Sequence, residues 1–390
     1  MKTHENSQDI AGPMSYQNWI AASAGTRRLS ISEVPLYSDA DITGEISSGL
    51  GPYALRNALP NDERDPAIIL IVNGYIDPNQ VPRTIKTNVS NFTGASLPDE
   101  IAALCSLALG VRMMAGGVTR MASDGSPHGF IILGDRERPA FFGKRGASPK
   151  ILPRVVETVA LVPGLLSRFP LLTPTAASTL VRAARSYRDG LWIAEAEPEL
   201  SWLLLVSALE IAAVQDNVHR TSPVDILRTS KPELVVQLEE AGAKILELVA
   251  SALARELRAT GRFLDFMSKF MPPPPEKRPP NGFRFDWSDR AMRVAMKKVY
   301  DHRSSALHEG IPFPPPMCWA PMRDAGWPAP METIMGLAAS TTGGSWIRAD
   351  MPFCLHIFEQ VARGALLNWW AALAGPGADA NRLDEPPHTV

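Results

Sequence analysis

The segment DWSDRAMRVAMKKVYDHRSSALHEGIP, residues 286–312, carries the clearest folding signals in this chain of 390 residues. Asp286 or Ser288 is a helix start, and Gly310 followed by Pro312 is a helix stop. Between these signals apolar residues recur at helical spacing, which predicts one amphipathic helix. The surrounding sequence then decides whether this helix stands alone or belongs to a bundle.

Further helices are predicted on both sides of that segment, so the part after Pro149 favours an all-α bundle. They are a helix starting at Thr173-Pro174, an apolar helix from Glu199 to about His219, a long helix from Lys231 through Leu253, and a last helix from Phe353 to about Leu373. Two proline-rich blocks, residues 271–282 and 312–330, cannot continue a helix and predict long loops.

The first third of the chain predicts a smaller α+β unit. Ala67–Tyr75 and Gly129–Leu133 are short apolar runs typical of strands, and Phe141-Phe142 fits the end of another. Between the runs, Ser96 caps a helix that is predicted to end at Gly116-Gly117. The predicted fold class is therefore mainly α. The chain is predicted to divide into a flexible N-terminus over 1–20, an α+β domain over 21–150, a helical domain over 165–374 and a flexible tail over 375–390.

Composition sets limits on partners and location. Lys and Arg number 39 against 41 Asp and Glu, so any contact with nucleic acid depends on a local patch. The three cysteines form no CxxC pair, which suits a reducing cytoplasm and excludes a four-cysteine zinc site. The polar N-terminus lacks a signal-peptide core, and the apolar run Trp202–Val214 is short and contains Glu210. No membrane span is expected, and a cytoplasmic location is predicted.

Most motifs for nucleotide, cofactor or metal chemistry are missing from the sequence. Gly143-Lys144 has Arg138 where a P-loop needs its first glycine, and Gly49-Leu50-Gly51 is followed by Pro52 rather than by a dinucleotide turn. There is no G-x-S-x-G elbow and no pair of histidines at i, i+4 spacing. The sequence therefore predicts neither a metal nor a cofactor.

One pattern remains: Tyr300, Arg303-Ser304 and His308 within the predicted helix 286–312. It resembles the RxxxxH motif of HEPN-domain proteins, in the YxxRSxxxH variant of the Apea-like subfamily. Ser201–Glu210 resembles that subfamily's earlier helix, which ends in Ala-Leu-Glu. The resemblance covers roughly residues 170–374 and implies a HEPN-like helical bundle. One difference is Glu309, because the subfamily commonly has Gly directly after the His.

The resemblance implies a metal-independent endoribonuclease that leaves 2′,3′-cyclic phosphate and 5′-hydroxyl ends. It also implies a role in prokaryotic antiviral defence or toxin-like growth arrest. Attack by a ribose 2′-OH needs proton transfer and positive charge at the phosphorus. Arg303 fits the phosphate contact, and His308 fits the general acid or base, since the helix C-terminus favours its protonated form. Ser304 is a candidate hydrogen-bonding helper, and Tyr300 a supporting residue.

Helix geometry indicates that two copies of the chain act together. Five residues rotate a helix by about 140° and advance it by ~7.5 Å, so Arg303 and His308 of one chain do not easily converge on one phosphate. A homodimer through this helix, as in HEPN ribonucleases, would bring both pairs to a shared cleft. Met292, Met296, Val299, Arg303 and Ala306 form one stripe, which favours a dimer interface with a polar centre.

Several residues have two interpretations. Glu210 is either buried and paired with an arginine or turned to solvent, and a structural partner is favoured over a catalytic role. Lys297 and Lys298 have two equally favoured interpretations. They either contact RNA phosphates or belong to an ordinary solvent-exposed helix face. The alternative function is a catalytically inactive HEPN-like module that binds RNA, a nucleotide or a protein partner. A plain helical scaffold is the third possibility. By elimination, residues 21–150 would be a sensing or regulatory domain, with an unidentified trigger.

Overall fold

The computed structural model describes residues 11–58, 65–77, 87–123, 126–132, 139, 149–153, 158–216, 222–341 and 343–375. About half of the structure is helical, and a small antiparallel sheet makes it an α+β protein. By internal contacts the chain divides into two compact units. Unit 1 comprises Met1–Glu197 with Leu367–Val390, and unit 2 comprises Pro198–Leu366.

Unit 1 contains three helices and eight strands among its described residues. In chain order they are α1 (Met14–Ser23), β1 (Ser30–Tyr37), β2 (Asp41–Thr43), β3 (Tyr53–Asn57), β4 (Ile68–Gly74), α2 (Leu97–Leu109), β5 (Met114–Ala115), β6 (Arg120–Ser123), β7 (Ser126–Ile131), β8 (Thr158–Ala160) and α3 (Pro174–Ile193). The main sheet is antiparallel, in the order β3-β4-β1-β6-β7 with β5 also on β1, and β2 pairs with β8 in parallel. The sheet confirms the α+β character predicted for this part of the chain.

The predicted strands are present with small differences in their bounds. The run Ala67–Tyr75 forms β4, where Leu70 lies opposite Val34 and both are fully buried. Strand β7 starts at Ser126 and not at Gly129. The prediction for Phe141-Phe142 lies outside the described residues.

Helix α2 starts as predicted and ends earlier. The Ser96 hydroxyl accepts a hydrogen bond from the Asp99 amide, as an N-cap does. The helix stops at Leu109 because Gly110 takes the left-handed conformation at φ 69°. The predicted end at Gly116-Gly117 is wrong, since residues 114–115 instead form a strand that pairs with β1.

The expectation of a flexible N-terminus over residues 1–20 is wrong for residues 14–20, which belong to α1. The Ser15 amide donates to the buried carboxylate of Glu100 at 2.7 Å, and the Tyr53 hydroxyl donates to the Ser15 carbonyl. Trp19 on the same helix lies against Gly51, where φ is 55°. A Cβ at Gly51 would come within 2.3 Å of the Trp19 indole nitrogen, so this close approach requires glycine.

Helix α3 belongs to unit 1, so the division follows it at Glu197 and does not fall between residues 150 and 165. The Arg182 guanidinium donates to three backbone carbonyls, those of Val89, Ser90 and Phe92. These bonds join α3 to the segment that precedes α2. The Thr173 cap and the helix start at Pro174 are as predicted.

Unit 2 is mainly helical. Its elements are α4 (Pro198–Asp216), α5 (Pro223–Ser230), α6 (Pro232–Ala241), α7 (Ala243–Phe270), α8 (Asp289–His308), α9 (Pro315–Cys318), the hairpin strands β9 (Ala338–Thr341) and β10 (Gly344–Ile347), and α10 (Leu355–Leu373), whose last residues count with unit 1. Helix α7 contacts α4, α5, α6 and α8 and is the central helix of the unit.

The long helix predicted from Lys231 through Leu253 is two helices in the structure. Gly242 separates α6 from α7 at φ 113°, a conformation that interrupts an α-helix. The break lets both helices pack on α5 around a small core that contains Leu227, Val235, Leu246 and Ala250. The apolar spacing was correct on both sides of the break, but the single helix was not.

Helix α8 forms as predicted, and a buried ion pair fixes the proline-rich segment before it. The Ser288 hydroxyl caps the helix at the Ala291 amide, and Gly310 ends it at φ 68°.

In the proline-rich segment before α8, Arg278 donates from Nε and Nη2 to both carboxylate oxygens of Glu332, at 2.8 and 2.6 Å. Glu332 is 1% exposed and also accepts from the Phe285 amide.

Helix α4 is longer than the apolar run that the sequence analysis considered. It has 19 residues and is the one helix in the described part of the chain that meets the length and composition of a membrane span, with 44% of its apolar window buried. Trp202 on α4 is fully buried, and its ring stacks with Phe313 and Phe358 at centroid distances of 5.2 and 4.6 Å. These contacts place Trp202 and its face of α4 in the core of unit 2.

Candidate functional site

The centre of the candidate site is an ion pair between α4 and α8. Arg303 Nη2 donates to Glu210 Oε2 at 2.6 Å, although the two residues are 93 positions apart. Their side chains are 19% and 21% exposed, so the pair is partly screened from water. Of the two interpretations of Glu210, the structure has the one in which an arginine is its partner.

Tyr300 completes this cluster, one helical turn before Arg303. Its hydroxyl donates to the other carboxylate oxygen, Glu210 Oε1, at 3.1 Å, and its ring centroid lies 5.6 Å from the Arg303 Cζ. Burial, together with the negative charge of Glu210, raises the pKa of Tyr300 to about 12. The hydroxyl is therefore a neutral hydrogen-bond donor at physiological pH.

The Arg303 guanidinium is incompletely bonded. Within the described part of the chain its Nε is buried without a hydrogen-bond partner, and Nη2 makes the one hydrogen bond of the guanidinium. An arginine offers five N–H donors, and pairs with carboxylates are frequently bidentate. Arg303 is thus fixed in position but retains unused donors.

His308 differs from Arg303 in its surroundings. It is the last residue of α8 and is exposed, and no hydrogen bond to its imidazole ring occurs among the described residues. Leu307 and Ile311 beside it are 52% and 51% exposed, and Ser304 is half-buried. Arg303 lies at the α4 contact, whereas His308 lies in solvent at the helix end.

The two lysines predicted to contact RNA each have a carboxylate partner. Lys297 Nζ lies 2.7 Å from Asp301, with both side chains about half exposed, and Lys298 Nζ lies 2.6 Å from Asp350. Exposed pairs of this kind are worth ~0–1 kcal/mol, so an RNA phosphate can replace either carboxylate at little energetic cost. The ion pairs leave the prediction for these lysines untested.

The interpretation of the apolar stripe on α8 as a dimer interface is wrong. Met292, Met296 and Val299 are at most 1% exposed within one chain, because this face packs into the core of unit 2. The helix end with Leu307 and His308 remains exposed.

His302 and Asp350 are neighbours that the sequence analysis did not bring together. His302 Nε2 lies 2.7 Å from the Asp350 carbonyl oxygen, and the ring contacts Phe313. Asp350 directly follows the β9–β10 hairpin region, which carries no sequence signal for pairing with α8. Among the described residues no group of three or more His, Cys, Asp or Glu side chains is arranged to hold a metal ion.

Comparisons with family models, with curated proteins and with solved structures find no match to this chain. The candidate site is therefore defined by its own geometry and by the motif in its sequence.

Proposed function

We propose that this protein is a metal-independent endoribonuclease of the HEPN type. The carrying observation is the Arg303–Glu210 contact at 2.6 Å. It joins the two sequence segments that resemble the Apea-like subfamily, which are far apart along the chain. The pair gives Arg303 a fixed position, and fixed positive charge is what a pentavalent phosphorane requires.

In this proposal Arg303 binds the scissile phosphate and His308 transfers protons. The 2′-OH attacks phosphorus in line, the 2′-proton passes to a base, and the 5′-oxygen leaves with a proton from an acid. The products are a 2′,3′-cyclic phosphate and a 5′-hydroxyl. Because His308 is exposed at the end of α8, a second copy of the chain can bring its own Arg303 or His308 to the same phosphate.

The proposal extends to the biological role and location. A cytoplasmic ribonuclease of this type would act in antiviral defence or growth arrest in a prokaryote. Unit 1 would then hold the sensing or regulatory function, with a trigger that restrains or releases cleavage.

A second candidate function is supported by the same ion pair. Glu210 already neutralises the charge of Arg303, as a purely structural partner does. In that case the unit is an inactive helical module that binds RNA, a nucleotide or a protein, and His308 has no role in it.

The first experiment incubates total and transfer RNA with wild type, Arg303→Ala and His308→Ala in excess EDTA. Arg293→Ala is the matched control, because Arg293 is an exposed arginine of α8 whose guanidinium bonds to Ser268. The ribonuclease proposal expects cyclic-phosphate ends from wild type and the control, and none from the two motif variants. Cleavage that survives His308→Ala would refute the assigned role.

Mixing the two inactive variants tests the shared cleft. A heterodimer of Arg303→Ala and His308→Ala chains contains one intact composite site if each site takes its arginine and its histidine from different chains. Equal mixing then restores roughly a quarter of wild-type activity, since half of the dimers carry one of two sites. If each chain used its own Arg303 and His308, mixing would restore nothing.

A further inference from the structure

We infer that Tyr300 is a positioning residue that shares the Glu210 carboxylate with Arg303, so that Arg303 is held by one N–H and keeps its Nη1 donors and its second Nη2 donor for an RNA phosphate. The inference rests on the proposed function for its consequence, but its structural basis is independent of catalysis. It assigns to the tyrosine of the motif a task that neither Arg303 nor His308 performs.

The two oxygens of Glu210 have different partners. Oε2 accepts from Arg303 Nη2 at 2.6 Å, and Oε1 accepts from the Tyr300 hydroxyl at 3.1 Å. An unshared carboxylate next to an arginine commonly accepts from two guanidinium N–H groups in parallel. Here the oxygen that would receive the second N–H instead accepts from the tyrosine hydroxyl, and the carboxylate held in this way leaves Nε without a bond among the described residues.

The Nε–H group of Arg303 is the donor that has no acceptor in this arrangement of the Glu210 carboxylate. Nε is buried without a partner, and an unmet donor of this kind is destabilising. If Tyr300 released Oε1, the Nε–H and Nη2–H groups would both have carboxylate acceptors. The tyrosine therefore keeps the ion pair weaker than these two side chains would make it alone.

The tyrosine hydroxyl is itself fixed in place. The tyrosine ring packs against Phe263 of α7 at a centroid distance of 5.1 Å, and the hydroxyl donates to Glu210. Its donor state does not change near neutral pH, since its pKa is raised to about 12 by burial and by the Glu210 charge. Helices α4, α7 and α8 thus all contribute to the hold on one guanidinium.

The functional consequence is that the Arg303 guanidinium is held in one orientation while some of its N–H groups stay free to bind a phosphate. A bidentate Glu210–Arg303 pair would neutralise the guanidinium more completely and weaken its attraction for a phosphate. A single N–H bond orients the side chain and leaves the remaining Nη donors for the ligand. Tyr300 acts through Arg303 and does not touch the RNA.

The test uses the full-length protein with Tyr300→Phe, which keeps the ring beside the guanidinium and removes only the hydroxyl. We expect the Arg303 Nε–H resonance to move downfield in the NMR spectrum, because Nε gains a carboxylate acceptor. We expect roughly tenfold weaker binding of a short 2′-O-methyl RNA, which cannot be cleaved, an effect the size of one hydrogen bond to a charged group. In cleavage assays the loss falls mainly on KM.

The decisive comparison adds Glu210→Gln. In Tyr300→Phe/Glu210→Gln there is no carboxylate to share, so the further effect of the tyrosine change on the Nε resonance and on RNA affinity should disappear. Tyr37→Phe in unit 1 is the control for hydroxyl loss from a buried tyrosine away from the site.

Failure of the inference and failure of the proposed function are distinguishable. An unchanged Nε resonance in Tyr300→Phe, or an equal effect of that change with and without the Glu210 carboxylate, would overturn the inference even in an active ribonuclease. Absence of RNA cleavage by wild type would instead overturn the proposed function, while a downfield Nε shift abolished by Glu210→Gln would still support the divided carboxylate.

Discussion

Removing the arginine of the buried Arg278–Glu332 pair should destabilise unit 2 far more than the loss of a surface charge. Arg278→Met deletes the donors at 2.8 and 2.6 Å and leaves Glu332, which is 1% exposed, with the Phe285 amide among its partners. Breaking a buried pair costs ~3–5 kcal/mol. Because the Arg278 side chain is 19% exposed, we expect the lower end, about 3 kcal/mol.

Calorimetry of the purified full chain measures this effect. For a unit of this size, 1 kcal/mol shifts Tm by ~2–4 °C, so the affected transition should fall by roughly 6–12 °C. Arg284→Met is the matched control, since that exposed arginine of the same segment bonds to the Pro279 carbonyl and has no buried carboxylate. It should shift Tm only slightly.

Adding Glu332→Gln to Arg278→Met tests whether the unpaired buried charge is the cause of the lost stability. Arg278→Met/Glu332→Gln removes the charge that the first change leaves unpaired, and the amide oxygen still accepts from Phe285. The double variant should therefore be more stable than Arg278→Met alone. A double variant that melts lower, or an Arg278→Met shift equal to that of Arg284→Met, would refute the account.

Three further predictions concern local structure. Gly51→Ala should lower Tm by several degrees more than Gly49→Ala, because both have positive φ but only the first meets Trp19. Burial raises the pKa of Glu100, so its contribution is greatest below its unfolded pKa and is lost as pH rises through the folded pKa; Glu100→Gln should flatten this part of the stability–pH profile. Ser288→Ala should destabilise α8 by ~1 kcal/mol, measured by hydrogen exchange in its first turn.

The starts of three helices were predicted well because N-capping residues can be recognised from the sequence alone. Ser96, Thr173 and Ser288 all cap helices through their hydroxyls, as expected from residue type. Strand β1 was not predicted from the sequence, because a proline such as Pro35 disfavours a strand inside a sheet. In the structure Pro35 falls between the residues that pair with β6 and those that pair with β5, so the sheet tolerates it.

The candidate site was predictable as residues and less so as contacts. The motif predicts Arg303 and His308 as site residues, and an arginine partner for Glu210 was one of two stated alternatives. Which arginine pairs with Glu210 does not follow from the sequence, because a contact over 93 positions depends on how α4 and α8 pack. The apolar stripe of α8 misled for the same reason: a buried core face and a dimer interface have the same composition.

The distance along the chain between Glu210 and Arg303 also affects the order of events during translation. At 5–20 residues per second, the ribosome adds Arg303 about 5 to 20 s after Glu210. Until then the nascent chain holds an acidic side chain on an apolar helix without its counter-ion. A polypeptide that terminates between α4 and α8 carries the α4 half of the contact alone and cannot assemble the site.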